Sequence, residues 1–179
     1  MRIIAGRWKG RRIDAPGGRR VRPTADRVRE AWMSALGERV TDARILDLFA
    51  GSGALGLEAL SRGAREVVFV EKARSALRAL RKNVERLGAG EEVRVVRDDA
   101  LHFVEGLDED AFDVAFADPP YGRGLAEAVV EAFRRRSFAR ELWVEHRSAE
   151  PMPPVPGART RRYGDTTLTT IPRPERTDE

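Results

Sequence analysis

The tetrapeptide Asp118-Pro119-Pro120-Tyr121 is the segment of this sequence best suited to chemistry. It follows the apolar run from Phe112 to Ala117, which predicts a buried strand. Two consecutive prolines fix φ, so the Pro119 carbonyl and the Asp118 carboxylate become preset hydrogen-bond acceptors. Such acceptors favour the sp³ form of a conjugated exocyclic amine as it attacks a methyl donor, while Tyr121 stacks on the base. We therefore predict these four residues as catalytic; the alternative is a strand-ending turn in which Asp118 caps the backbone and Tyr121 fills a hole.

A glycine-rich loop, Ala50-Gly51-Ser52-Gly53, follows the predicted strand from Ile45 to Phe49 and precedes a predicted helix. Backbone amides at such a helix N-terminus face a ligand beyond the strand end, although a tight turn without a ligand would have the same pattern. Glu71 closes the next strand about 20 residues later, where a carboxylate meets ribose hydroxyls. Together these features predict a ribose-bearing cofactor.

The loop spacing leaves two cofactors open, because Gly51, Gly53 and Gly56 satisfy the dinucleotide pattern G-x-G-x-x-G. Asp47 would repel a pyrophosphate but could hold the cationic amino-acid end of S-adenosylmethionine, which we favour. Asp99 could accept from an adenine amino group while the Ala100 amide donates to the ring; alternatively, Asp98 or Asp99 caps the following helix. The predicted cofactor-binding residues are Asp47, Phe49, Ala50, Gly51, Gly53, Glu71, Lys72, Asp99, Ala100 and Asp118.

These residues require an α/β framework, which the alternation of short apolar runs and amphipathic stretches predicts. Strands are expected at 45–49, 67–70, 93–96, 112–117 and 142–145, with helices from residue 54, at 73–87 and at 125–135. Two further runs, 159–163 and 166–171, flank Gly164 and Asp165 closely enough for an antiparallel hairpin. The result is a mostly parallel sheet that ends in a hairpin.

Composition limits the remaining possibilities. The 179 residues fit one core, and zero cysteines with two histidines exclude a disulfide framework, a thiolate nucleophile and a Cys/His zinc site, so we expect no metal. No membrane span or signal core is present, which predicts a cytoplasmic protein. The single asparagine and the absence of glutamine resemble proteins that avoid heat-labile amides.

The positive charge is concentrated at the N-terminus: residues 1–39 hold eleven Lys or Arg against four Asp or Glu, whereas the other residues hold 22 against 25. Such an excess attracts phosphate backbones, or serves only as a solvated arm. We predict a short hairpin of residues 2–5 and 11–14, then a helix capped by Thr24, with Val28, Trp32 and Leu36 on one face. The expected divisions are an arm at 1–41, a body at 42–172 and a charged tail at 173–179.

The chain also resembles class I methyltransferases and, more narrowly, the bacterial 16S rRNA guanine-N2 methyltransferase D family. The resemblance is carried by residues 2–11, 22–24, 28–31, 47–53 and 118–121. It implies a seven-stranded Rossmann-like sheet and methylation of guanine 966 in 16S rRNA of an assembling small subunit. Separately, we expect the protein to be a monomer. The resemblance agrees with an RNA-contacting arm that comprises Arg2, Arg7, Trp8, Lys9, Arg11, Arg12, Arg19, Arg20 and Arg22. Trp8 would stack on a base, or alternatively fill a small core.

Two rival functions remain open. An adenine-N6 DNA methyltransferase would use the same acceptors, although we see no separate domain for reading base edges in these 179 residues. A non-catalytic RNA-binding assembly factor would hold the cofactor without turnover, and the intact Asp118-to-Tyr121 motif argues against it.

Overall fold

The computed structural model describes residues 1–15 and 23–174, which form a seven-stranded sheet in the order β3-β2-β1-β4-β5-β7-β6. The strands are β1 Arg44–Leu48, β2 Glu66–Val70, β3 Val93–Val96, β4 Phe112–Ala117, β5 Ala139–Arg147, β6 Arg159–Tyr163 and β7 Thr166–Pro172. The helices are α1 Pro23–Leu36, α2 Ala54–Ser61, α3 Arg74–Leu87, α4 Ala100–Glu105 and α5 Leu125–Arg135, with 3-10 turns at Gly37–Val40 and Gly90–Glu92.

The pairing confirms the predicted mixed sheet. The first five strands pair in parallel, whereas β7 is antiparallel to both β5 and β6. Strand β5 is longer than the predicted 142–145, because β4 on one side and β7 on the other provide partners along its polar ends as well. The carboxyl ends of β1, β2, β4 and β5 therefore meet at one edge of the sheet, where ligands bind in folds of this kind.

A core lies on each face of the sheet, as expected for strands covered on both sides. On one face, Trp32 of α1 packs edge-on against Phe116, with ring centroids 5.4 Å apart, and α2 and α3 complete this first core. On the other face, α4 and α5 pack over alternate strand residues such as Leu46 and Ala115. No helix among the described residues is both long and apolar enough to cross a bilayer.

The N-terminal arm shares the first core instead of standing apart from the body. Ile3, Trp8 and Ile13 are buried in the same cluster as Trp32. The predicted hairpin is reduced to a single bridge between Arg2 and Arg12, because the backbone between them curls back in tight turns. The burial of Trp8, only 8% exposed, corrects the expectation that it stacks on a base and supports its alternative role in the core.

Two buried side chains of α2 hold the arm in place. The fully buried Glu58 accepts hydrogen bonds from the amides of Ile4 at 2.8 Å and Ala5 at 3.0 Å. Ser61 Oγ accepts from the Trp8 amide at 3.0 Å and donates to the Ala5 carbonyl at 2.6 Å. Since α2 directly follows the glycine loop, the arm is fixed to the helix that the loop begins.

Asn83 of α3 makes a second connection between the arm and the loop. Its Oδ1 accepts from the Asp14 amide at 2.7 Å, and its Nδ2 donates to the Asp14 carbonyl at 2.9 Å and to the Ser52 carbonyl at 3.0 Å. The side chain is completely buried, so one amide group joins the arm to the glycine loop. The predicted RNA contacts Arg19, Arg20 and Arg22, the Thr24 cap and residues 175–179 of the tail lie outside the described residues and side chains.

Candidate active site

Gly51 and Gly53, the two glycines of the loop, have different structural roles. Phe49 and Gly51 both have left-handed backbone, with φ of +57° each, and open space surrounds the position of a Gly51 Cβ. Gly53 also has positive φ, but a Cβ there would lie 2.3 Å from Leu80 Cδ1 in the core. Gly51 thus leaves room for a ligand, whereas Gly53 permits close packing of the loop on α3.

Glu71, at the end of β2, is bonded to the loop. Its two carboxylate oxygens accept from the amides of Gly51 at 2.8 Å and Ala73 at 2.7 Å. Each oxygen keeps a second lone pair, and the residue lines the larger cavity described next. This position suits hydrogen bonds from the two hydroxyls of a ribose.

Two adjoining cavities lie at the carboxyl edge of the sheet. The larger, of about 810 Å³, is lined by Glu71, Lys72, Ala100 and the Asp118-to-Tyr121 segment. The smaller, of about 240 Å³, lies between α1 and the glycine loop, beside Asp47. Phe49, Gly51, Asp118 and Glu145 line both cavities, so the two form a continuous cleft.

Three carboxyl groups lie together where the cavities meet: Asp47, Asp118 and Glu145. Burial raises the pKa of Asp47 to about 8, opposing its hydrogen bond from the Gly56 amide at 3.0 Å. Asp118 is exposed at the rim, but the protein around its carboxyl group, then Glu145 and then Asp47, raise its pKa well above the usual range. Burial likewise raises the pKa of Glu145. The cluster disfavours three negative charges in the absence of a cation.

This cluster predicts a pH dependence of stability that Asp47→Asn should reduce. Between the ordinary pKa of an aspartate and about 8, folded Asp47 keeps a proton that the unfolded chain releases, so the free energy of unfolding falls as pH rises through that window. One proton contributes a slope of at most about 1.4 kcal/mol per pH unit. We expect chemical denaturation from pH 4 to 8 to give a flatter profile for Asp47→Asn than for the wild type. Exposed Asp108 provides the control as Asp108→Asn; equal slopes in all three proteins would contradict the assignment.

Tyr121 is anchored by Glu145, a residue that the sequence analysis missed. The Tyr121 hydroxyl donates to Glu145 Oε1 at 2.6 Å and lies 3.3 Å from Thr166 Oγ1. Burial, followed by the bond to Glu145, raises the pKa of Tyr121, which therefore stays protonated. The Arg147 guanidinium lies 5.4 Å from the centroid of its ring. The sequence did contain a signal for Glu145 as a site residue, since it is a glutamate at the carboxyl end of a predicted strand.

The acidic pair after β3 requires a correction. Asp98, not Asp99, lines the larger cavity, and its carboxylate interacts with His102 Nδ1 at 3.0 Å. Asp99 Oδ1 caps α4 by accepting from the Leu101 amide at 3.0 Å, and its Oδ2 pairs with Lys72 at 3.1 Å. Asp99 is thus occupied by the capping role named as its alternative, while Ala100 does line the cavity as predicted.

Comparison with known proteins identifies the family of this chain. The profile of a family described as "Conserved hypothetical protein 95" matches residues 1–171. The ribosomal RNA small subunit methyltransferase D of Escherichia coli (strain K12) is 39% identical over 159 residues, which cover 87% of this chain and 79% of that protein. The chain belongs to the ribosomal RNA small subunit methyltransferase D family.

Further comparisons agree with the methyltransferase D family. The protein of that name from Haemophilus influenzae is 35% identical over 157 residues, covering 85% of this chain and 81% of that protein. The structure of the Escherichia coli protein yhhF has a TM-score of 0.85 and 36% identity, covering 98% of this chain and 99% of that one. A 16S rRNA methyltransferase of T. thermophilus, at 23% identity and a TM-score of 0.67 over 89% of this chain and 45% of that one, shares the fold.

In this methyltransferase, several cationic side chains of the arm already have partners within the protein. Arg7 pairs with Glu92 at 2.6 Å and covers Trp8, with its guanidinium 4.1 Å from the ring centroid. Arg2 donates to the Gly10 carbonyl at 2.7 Å, and Arg11 donates to a carbonyl of α3. Among the predicted RNA contacts that the structure describes, Arg2, Lys9, Arg11 and Arg12 are exposed and form no ion pair with another described residue. The side chains of Lys9 and Arg12 also donate no hydrogen bond to a described residue, unlike those of Arg2 and Arg11.

Proposed function

We propose that this protein transfers a methyl group from S-adenosylmethionine to the exocyclic N2 of a guanine in 16S rRNA, at a site of the guanine 966 type. The observation that carries the proposal is the position of Asp118, which lines both cavities and follows β4 directly. A donor in one part of the cleft and a base in another would meet at this carboxylate. The relatives named ribosomal RNA small subunit methyltransferase D support the choice of substrate.

The charges of the cleft suit a cationic cofactor. The raised pKa values of Asp47, Asp118 and Glu145 mean that a nearby positive charge would stabilise their ionised forms. The buried Trp32 indole N–H lines the smaller cavity and makes no hydrogen bond of normal geometry to a described residue, although it lies near enough to Glu145 to lower the pKa of that carboxyl group. A carboxylate bound in this cavity would share the indole donor with Glu145. The amino-acid end of S-adenosylmethionine carries both charges, and Glu71 is available for its ribose.

The chain's own residues orient the amine and accept its proton. When bound, S-adenosylmethionine supplies an electrophilic methyl group on a sulfonium. The Asp118 carboxylate and the Pro119 carbonyl accept hydrogen bonds from the guanine amine and thereby favour its sp³ form. Asp118 would also accept the proton that the amine gives up once its nitrogen carries the methyl group. Tyr121, fixed by Glu145, positions the base.

The proposal is tested by transfer of labelled methyl groups to small-subunit assembly particles, naked 16S rRNA and DNA, followed by nucleoside analysis. We expect N2-methylguanosine in the rRNA of the particles, formed by a monomer acting in the cytoplasm. N6-methyladenine in DNA would instead support the adenine-specific alternative. Cofactor binding without transfer to any of the three substrates would support a non-catalytic assembly factor.

A further inference from the structure

We infer that Arg159 and Arg161 of β6 form a second RNA contact, which binds phosphates of the strand carrying the target base. This inference rests on the proposed function and adds an RNA contact at β6, the edge strand opposite β3 in the sheet. Both side chains line a groove of about 340 Å³ between the C-terminal part of α1 and the edge strand β6. The residues of β6 before Tyr163 are all exposed.

The two arginines project from the same face of the sheet as Glu145 of the candidate site. Across the three neighbouring strands, Glu145 pairs with Leu168 and Leu168 pairs with Arg161. Paired residues project from the same face, and adjacent strands are about 4.8 Å apart, so Arg161 lies about 10 Å from Glu145 along this row. Arg159 lies one side-chain repeat further along the strand, about 7 Å away. An RNA strand that leaves the cleft at Tyr121 would therefore reach these cations within a few nucleotides.

Charge selects the occupant of the groove. Arg159 and Arg161 form no ion pair with any described residue, whereas the acidic side chain of the groove, Glu141, is already neutralised by Arg39 at 2.6 Å. Guanidinium groups without protein partners, spaced along an extended strand, suit the repeated negative charges of a phosphate backbone. In the arm, by contrast, Arg7 is already paired with Glu92 at 2.6 Å.

A simpler explanation is that the arginines protect an exposed edge strand from pairing with another chain. That explanation applies equally to Arg162, whose neighbours on β6 are Arg161 and Tyr163. Strand alternation places Arg162 on the opposite face from Arg159 and Arg161, where its Nε donates to the Gly164 carbonyl at 2.8 Å. Arg162 is thus a matched control on the same strand, since only the groove proposal distinguishes the two faces.

The test compares the double variant Arg159→Ala/Arg161→Ala with the single variant Arg162→Ala and with the wild type. Binding to a 16S rRNA fragment that contains the target guanine is measured from about 50 to about 200 mM salt, because the affinity contributed by phosphate contacts falls steeply over this range. We expect the double variant to bind about tenfold more weakly, with a salt slope smaller by about 1 to 2. Binding of S-adenosylmethionine and kcat at saturating RNA should stay unchanged, and Arg162→Ala should resemble the wild type.

Equal RNA affinity in the double variant and the wild type would overturn the inference, as would an equal loss in Arg162→Ala. These outcomes are distinct from failure of the proposed function. If the wild type neither binds the rRNA fragment nor methylates any rRNA substrate, the proposed function itself is wrong. If the wild type methylates rRNA and the double variant does so with unchanged KM, only the β6 contact is wrong.

Discussion

Replacement of Asp118 by alanine is expected to lower kcat for methyl transfer by about 10²- to 10³-fold, the loss that typically follows removal of one preorganised hydrogen-bonding group from a reaction centre. Cofactor binding should survive, because Glu71 and the loop amides remain. Stability should survive as well: the carboxyl group is crowded by Glu145 and Asp47, so its removal relieves repulsion. Single-turnover methyl transfer, cofactor titration and thermal unfolding measure the three effects separately.

Asp118→Asn distinguishes how the carboxylate acts. An asparagine keeps one oxygen that accepts a hydrogen bond from the amine but has no negative charge. If hydrogen-bond acceptance is the main role, this variant should retain activity between those of Asp118→Ala and the wild type. Asp108→Ala, which removes an exposed aspartate of the loop before β4, should have no effect. Methyl transfer by Asp118→Ala at near the wild-type rate would show that the assignment is wrong.

Replacement of Gly6 by alanine is expected to destabilise the protein by at least about 3 kcal/mol and to detach the arm from α2. A Cβ at this position would lie 1.8 Å from the Ser61 carbonyl oxygen, so the backbone must move. The same movement would disturb the bonds of Ile4 and Ala5 to Glu58 and leave that buried carboxylate with fewer partners.

Gly10→Ala is the matched control for this prediction. Gly6 and Gly10 have nearly the same backbone conformation, with φ of +83° and +80°, so alanine strains both to a similar extent. Apart from its chain neighbours, no atom of the residues that the structure describes lies within 4 Å of a Cβ at Gly10, so only the strain of about 1 to 2 kcal/mol is expected there. Urea unfolding of both variants measures the difference. Similar losses at the two positions would mean that contact with Ser61 does not hold the arm.

The sheet and the position of Asp118 were predictable because chain order determines them. Alternating apolar runs define parallel strands, and residues that follow such strands converge at one edge, which brings Glu71 and Asp118 together. The predicted bounds of β3, β4 and α5 coincide with the structure. The length of β5 was not predictable from its own residues, because its polar ends are strand only where β4 and β7 provide partners.

The parts of the site that were missed depend on contacts between distant segments. Glu145 becomes a site residue because β5 lies beside β4, so that Tyr121 can reach it. The choice between Asp98 and Asp99 depends on which of two adjacent carboxylates turns toward the start of α4. The burial of Trp8 depends on Ser61, 53 residues away. Periodicity and motif spacing carry no information about such pairs.

The buried position of Asn83 also has a consequence for the chemical ageing of the protein. Side-chain amides deamidate when the next backbone nitrogen attacks the amide carbon, which requires a mobile, extended backbone. Asn83 is the only residue of the chain with such an amide, and it lies inside α3 with its oxygen and nitrogen both bonded. The chain's one side-chain amide is therefore held in a conformation that opposes cyclisation, so prolonged heating should not introduce a new aspartate there while the fold persists.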